Sequence, residues 1–281
     1  MDSATTARLL KINRDFYDHF GDSFSATRQR IQPGVRRVLA MLNGDEDILD
    51  LGCGNGELAR VLARRNHRGS YLGLDFSLPL LKNAESQPQA FPIKFLQADL
   101  TSDWDHVIAI PSLRAHFPEG HRDDVTKQSP THGGIASSGF DTAEERRLLN
   151  PPCNDSFFDI VFCFAALHHI PSFELRLKTL EKVRALLKPE GRFIHSNWQF
   201  LNSEKLKARI QPWEAAAISS VEVDAGDYLL DWRSGGRGLR YAHHFTEEEL
   251  SQLAQAGGFR IVDSFYSDGG NNKLGLYQIW G

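Results

Sequence analysis

Apolar residues at Leu9, Leu10, Ile12, Phe16, Tyr17 and Phe20 recur at helical spacing and predict an amphipathic helix over about 5–20. Ser23 to Arg28 reads as a turn, and Pro33 opens a second helix through about Met41. Short apolar runs then alternate with amphipathic stretches: strand 47–51, helix 56–66, strand 70–74, helix 77–84 and strand 93–98. Strand 158–164, helix 173–187 and strand 191–197 continue the rhythm, with Lys188-Pro189-Glu190-Gly191 separating the last two. Such alternation implies an α/β fold, a doubly wound and mostly parallel sheet with helices on both faces. Thr246, with Glu249 three residues on, predicts a capped helix at about 246–256. Residues 259–265 and 274–280 close the pattern as an antiparallel strand pair.

Two stretches interrupt the rhythm within what reads as one domain over 1–281. From Trp104 to Pro152 the chain is polar and glycine-rich, a composition that cannot offset its ordering entropy; a flexible surface insert is expected over 104–152. Residues 204–245 form a second insertion, expected on the substrate side, and 1–45 are expected to form a helical lid. Hydrophobic content of 41% and charged content of 24% suit a globular protein. No apolar run is long enough to span a bilayer, so no membrane partner and a cytoplasmic location are expected. Cys53, Cys153 and Cys163 form no CxxC and read as reduced packing residues. The net charge of −4 gives no global attraction to nucleic acid.

The chemistry concentrates at Asp50-Leu51-Gly52-Cys53-Gly54-Asn55-Gly56, where a buried strand ends in a glycine-rich turn before a helix. The next strand ends in Asp75, an acid placed to hold both hydroxyls of a ribose. A dinucleotide turn would present GxGxxG to a pyrophosphate, but here an acid precedes an alternating glycine triplet. Asp50 repels a pyrophosphate and suits a cationic amino-acid group. The pattern resembles motif I of the class I S-adenosylmethionine-dependent methyltransferases, which implies a Rossmann-like fold and S-adenosylmethionine as cofactor. On that resemblance Asp50, Gly52, Cys53, Gly54, Gly56, Asp75, Phe76, Ser77, Asp99, Leu100 and Phe164 are expected to bind it, with Asp99 meeting the adenine amino group.

Substrate contacts are expected above strands four and five and on the lid helix. His168 is a candidate base or polar contact; His169, Trp198, Arg233 and His243 are candidate substrate contacts, with His244 in the same zone. Arg28 and Arg240 are candidate clamps for a carboxylate. The stretch 232–241 carries Arg233, Arg237 and Arg240 and no acid, as an anion-reading flap would. No metal site is expected. Arg8, Lys11, Arg14, Arg28, Arg30, Arg36 and Arg37 outnumber the acids of the first forty residues, and Arg60, Arg64, Arg65 and Arg68 add a second basic patch; both permit RNA binding.

Phe24-Ser25-x-Thr27-Arg28, the glycine turn, His168-His169, Asn197-Trp198 and the run from Tyr241 to Leu250 together resemble the tRNA wobble-uridine carboxymethyl methyltransferases. That resemblance implies esterification of a carboxymethyl group on tRNA and an activating partner protein. A carboxylate is already anionic near neutral pH, so no strong base is needed and His168 would position the acceptor. Two other readings stand beside it: methylation of a small-molecule metabolite, and a non-catalytic cofactor-binding subunit.

Overall fold

The computed structural model describes residues 1–26, 30–85, 91–102, 104 and 158–281. Helix α1 (Ser3–Ala26) and helix α2 (Pro33–Leu39) precede the sheet. Then follow β1 (Ile48–Leu51), α3 (Glu57–Arg64), β2 (Tyr71–Asp75), α4 (Leu78–Glu85), β3 (Ile93–Gln97) and β4 (Phe158–Phe164). Helix α5 (Phe173–Leu186) leads into β5 (Leu187–Trp198), and a short helix α6 (Glu204–Lys207) precedes a second sheet of β6 (Ile210–Gln211), β7 (Asp227–Trp232) and β8 (Gly238–His243). Helix α7 (Glu247–Ala256), β9 (Ile261–Ser267) and β10 (Gly275–Trp280) complete the order.

The main sheet runs β3-β2-β1-β4-β5-β10-β9. Its first five strands are parallel, and β10 lies antiparallel between β5 and β9. The order reverses at β1 and β4, so the loops leaving their carboxyl ends diverge and open a crevice there. Both faces of the sheet are covered. Leu49, Val161, Phe193 and Trp280 pack with Leu180 and Leu253 on one face, while Ile48, Phe162 and Tyr277 pack with Val38 and Leu62 on the other. The doubly wound α/β reading therefore holds, with its antiparallel pair at 261–267 and 275–280.

Several boundaries differ from the sequence pattern by two residues or more, among them the start of β9 at Ile261 and the end of α3 at Arg64. The turn expected from Ser23 is helical as far as Ala26, because Phe24 packs edge-on against Phe16 and Tyr17 and Ser25 Oγ accepts from Asn55 Nδ2 at 2.8 Å. Helix α2 stops at Leu39 instead of Met41. Strand β5 starts at Leu187, paired with Phe158, and the ladder shifts register before Ile160 meets Arg192; Pro189 and Gly191 therefore sit inside an irregular strand. Thr246 caps α7 as expected, its Oγ1 accepting from the Glu249 amide at 3.1 Å. The expected insert lies outside the described residues except for Trp104, which is buried and donates Nε1 to the Leu100 carbonyl at 3.2 Å. Cys153 also lies outside them; Cys53 and Cys163 are buried free thiols.

The second sheet, which the hydrophobic pattern did not reveal, is fastened to the main one by a buried polar network. Arg176 of α5 is 1% exposed. It donates Nε to the Ile170 carbonyl at 2.9 Å, Nη1 to Glu249 at 3.2 Å and Nη2 to the Tyr241 hydroxyl at 3.3 Å. Tyr241 in turn donates to Asp227 at 2.8 Å, and His243 lies between Asp227 (2.7 Å) and Glu249 (2.8 Å). The carboxylate of Glu249 is thus taken by Arg176 and His243, so only the threonine half of the expected capping box forms.

Removing one member of such a network leaves a buried charge without its partner, typically at about 3–5 kcal/mol. Arg176→Ala and Asp227→Ala should each lower the urea midpoint of unfolding by a stability loss of about that size. The double variant should lose less than the sum of the two.

Candidate active site

A cavity of about 480 Å³ opens at the carboxyl ends of β1, β2, β4 and β5 and is roofed by α1. Its floor is the glycine turn. Gly52 and Gly54 have φ of +76° and +56°, a region that side chains strain to enter. A Cβ on Gly52 would stand 2.5 Å from the Ala166 Cβ, whereas one on Gly54 would meet no atom within 4 Å. Both glycines line the cavity, as do Cys53 and Asn55.

Two acids meet at this end. Asp50, 3% exposed, accepts from the Tyr71 hydroxyl at 2.5 Å. Burial pushes its carboxyl up to about 7, the Tyr71 hydroxyl pulls it back, and the nearby Asp75 charge adds to the rise. Asp75 accepts from the Gly54 amide and the Ser77 amide, each at 2.9 Å. Burial lifts it to about 6 against those backbone donors. Both carboxyls are therefore held short of ready ionisation, and a ligand bringing positive charge or hydroxyl donors would favour their charged forms. Asp99 stands beyond β3, taking Thr101 N at 2.9 Å on one oxygen and Arg14 of α1 at 2.7 Å on the other.

The opposite end is cationic and aromatic. Arg240 lines the cavity at 7% exposure, its guanidinium 4.7 Å from the Trp198 ring centre, 5.3 Å from Phe16 and 5.9 Å from Trp232. Strand β8 places it there, and the hairpin tip is close-packed on α1. A Cβ on Gly238 would stand 2.4 Å from the Phe20 ring, and one on Gly235 would stand 2.3 Å from Ser23 Oγ. His168 is buried, with its Nδ1 3.4 Å from the Trp198 amide. His169 faces the Tyr241 carbonyl with Nδ1 at 2.9 Å and the Tyr17 hydroxyl with Nε2 at 3.0 Å.

Of the residues selected from sequence, the cavity brings together Asp50, Gly52, Cys53, Gly54, Asp75, Phe76, Asp99, Leu100, Phe164, His168, His169, Trp198 and Arg240. Four others need correction. Gly56 is turned away, because a Cβ there would meet Ala84 and Phe95 at 2.9 Å; its role is helix packing. Ser77 is fully buried behind Asp75 and touches the site only through its amide. Arg233 sits at the exposed hairpin tip and pairs with Asp231. His243 belongs to the buried network under β8. Arg28 lies outside the described residues. Sequence reasoning missed the cavity roles of Tyr17, Asn13 and Arg14: Tyr17 read as part of the apolar stripe, Arg14 as part of a basic patch, and Asn13 was not singled out. Their shared i, i+4 or i, i+1 spacing on α1 was the available signal.

The arginine patches are largely matched by acids. Arg60 and Arg64 share Glu57, Arg37 reaches Asp263, Arg8 reaches Glu222, and Lys11 pairs with Asp15. Among the described residues, no helix is long and apolar enough to cross a membrane.

The family model for the methyltransferase domain matches residues 23–264. A putative methyltransferase of Encephalitozoon cuniculi, ECU09_1500, is 27% identical over 249 residues, spanning 88% of this chain and 87% of its own. The tRNA (carboxymethyluridine(34)-5-O)-methyltransferase of Arabidopsis thaliana is 24% identical over 182 residues, 65% of this chain but 31% of its own length. Among solved structures, the DhpI-SAM-HEP complex shares the fold at a TM-score of 0.58 and 16% identity, with 97% of each chain covered.

The raised carboxyl of Asp50 has a consequence for stability. Its folded value lies above the ordinary aspartate value of 3.8, so its contribution is complete below about pH 4 and is lost as pH rises through about 7. Asp50→Asn keeps an acceptor for Tyr71 and cannot ionise. The melting temperature of this variant relative to the parent should climb between pH 5 and pH 8, by a stability difference on the order of 2–4 kcal/mol. A difference that is flat with pH would show that the Asp50 carboxyl titrates normally.

Proposed function

The chain belongs to the methyltransferase domain family, and we propose that it uses S-adenosylmethionine to methylate an acceptor that presents a carboxylate to Arg240. One observation carries this reading: a single cavity joins a pair of buried acids at the end of β1 and β2 to a buried arginine ringed by aromatics.

The residues fit the cofactor. Asp50 and Asp75 suit a ligand with an ammonium and vicinal hydroxyls, since both carboxyls are destabilised by burial and gain from cationic or donor partners. The backbone at Gly52 and Gly54 leaves room where side chains would intrude, and Asp99 keeps acceptor capacity beside Arg14 for an amino group. When bound, S-adenosylmethionine supplies an electrophilic methyl on a sulfonium. The chain's own part is placement. Arg240 orients a carboxylate through its forked donors, Trp198, Phe16 and Trp232 exclude water around it, and His168 lies alongside. A carboxylate arrives without a proton to lose, so this transfer needs no base.

The carboxymethyl group of a tRNA wobble uridine is the acceptor we favour, supported by the substrate-side motifs and by the Arabidopsis relative. The pairing of the surface arginines with acids favours a second reading, a small carboxylate metabolite, because it leaves less charge for a phosphate backbone. Incubation with labelled S-adenosylmethionine, once with total tRNA and once with a metabolite extract, separates the two. Label released from RNA by mild alkali supports the ester on tRNA, and label confined to small molecules supports the metabolite. Running the RNA arm with and without cell extract tests for an activating partner. Cofactor binding with no transfer to either pool would mark a non-catalytic subunit.

Arg240→Ala should lower kcat/KM by about 100-fold, close to 2.7 kcal/mol of transition-state stabilisation, while cofactor affinity by calorimetry moves less than about threefold. Asp75→Ala and Gly54→Val should do the reverse, weakening cofactor binding by about 10-fold or more. Wild-type affinity in both would remove the cofactor assignment.

A further inference from the structure

We propose that Tyr17 and His169 form a proton-relay pair that lets this site also methylate a hydroxyl acceptor, an oxygen that arrives still carrying its proton. The inference rests on the cavity being the site of methyl transfer.

The His169 ring meets an oxygen at each nitrogen. Its Nδ1 faces the backbone carbonyl of Tyr241 at 2.9 Å. A carbonyl only accepts, so Nδ1 carries the ring proton. In the neutral ring Nε2 is then a lone pair, and it receives the Tyr17 hydroxyl at 3.0 Å. Both bonds are braced from α1. Asn13, one turn before Tyr17, accepts from the Tyr241 amide at 2.9 Å and donates to the His169 carbonyl at 3.3 Å. One helix thus fixes the histidine backbone, the strand that holds its Nδ1 and the tyrosine that meets its Nε2. The Tyr17 ring is set edge-on to Phe16, Phe24, Phe76 and His169, and both Tyr17 and His169 line the cavity.

This arrangement is poorly explained by a carboxylate acceptor alone. With its proton committed to His169, the Tyr17 oxygen can accept a hydrogen bond but has none to donate, which suits an O–H donor better than an anion. With a hydroxyl acceptor the acceptor O–H breaks and its proton passes to Tyr17 Oη. The Tyr17 proton moves to His169 Nε2, giving an imidazolium held by the Tyr241 carbonyl. The acceptor oxygen's electron pair forms the new bond to the methyl carbon as the carbon–sulfur bond breaks, leaving its pair on sulfur. His169 returns the proton to solvent after the product leaves. Tyr17 touches the acceptor and His169 acts through it.

The test uses catechol and 3,4-dihydroxybenzoate as hydroxyl probes, and an anticodon stem-loop RNA bearing 5-carboxymethyluridine as the carboxylate probe. The full chain is assayed with labelled S-adenosylmethionine. The expected result is alkali-stable label in a hydroxyl probe, with a rate that rises with pH through the range in which histidine loses its proton. Tyr17→Phe, which keeps the ring contacts, should lower that rate at least 100-fold and remove the rising limb. The loss on the hydroxyl probe should exceed any loss on the RNA by at least about 10-fold. Nitrogen-15 spectra of the ring should show His169 protonated at Nδ1, and Tyr17→Phe should shift the Nε2 resonance. A proton on Nε2 in the parent overturns the relay, as does hydroxyl methylation that Tyr17→Phe leaves intact. Label in the RNA but in neither hydroxyl probe overturns this inference and leaves the proposed function standing. Cofactor binding without label in any probe overturns both.

Discussion

Everything on the acceptor side of the cavity depends on where β8 lies, and β8 is held from beneath by charge. Its Tyr241 and His243 are locked to Asp227 of β7, and both strands are gripped by Arg176, which belongs to the main sheet's own helix α5. Side chains alternate along the strand, so Tyr241 and His243 enter the network from one face while Arg240 enters the cavity from the other. A slip of one position in the β7–β8 register would exchange a buried arginine among aromatic rings for a buried tyrosine. The network sets that register far more strictly than a small three-stranded sheet could by apolar burial alone.

At the other end of the cavity the constraint is the opposite one. Asp50 and Asp75 are carried into the interior by strands whose every residue is buried, and among the described residues neither has a cation as ion-pair partner. Backbone amides and one tyrosine hydroxyl offset part of the desolvation. The remainder is stored as carboxyls that resist ionising. Such a site is preorganised for a ligand that completes it, which is how a fold with little stability to spare can hold a cofactor selectively.

The elements that were legible in the sequence are those whose signals are local. Thr246 capped its helix, the glycine turn followed β1, and the strand at 158–164 fell where its apolar run stood. The end of α1 was not legible, because Ser23 and Ser25 favour turns locally and are kept helical by partners thirty residues and more away, Asn55 among them. Arg176 was invisible for the same reason: on sequence it is one more charge on an amphipathic helix. Arg233 and Arg240 looked equivalent in one basic hairpin, yet strand alternation and the position of the turn send one to solvent beside Asp231 and the other into the core. Gly56 shared the motif with Gly52 and Gly54, but its missing side chain makes room for α4 and β3, not for a ligand. Tyr17 fitted the apolar stripe of α1, and only the folded contact with His169 separates its hydroxyl from an ordinary core ring.

The place of β10 sets the order in which the molecule can be completed. It follows every other strand in the chain, yet it is laid in the interior of the sheet, with Trp280 sealed against Phe193 and Phe259. Until those six residues dock, β5 is paired with β4 along one edge and has the other edge open. The edge of β5 is therefore most open to misassociation in the interval between the pairing of the parallel strands and the docking of β10.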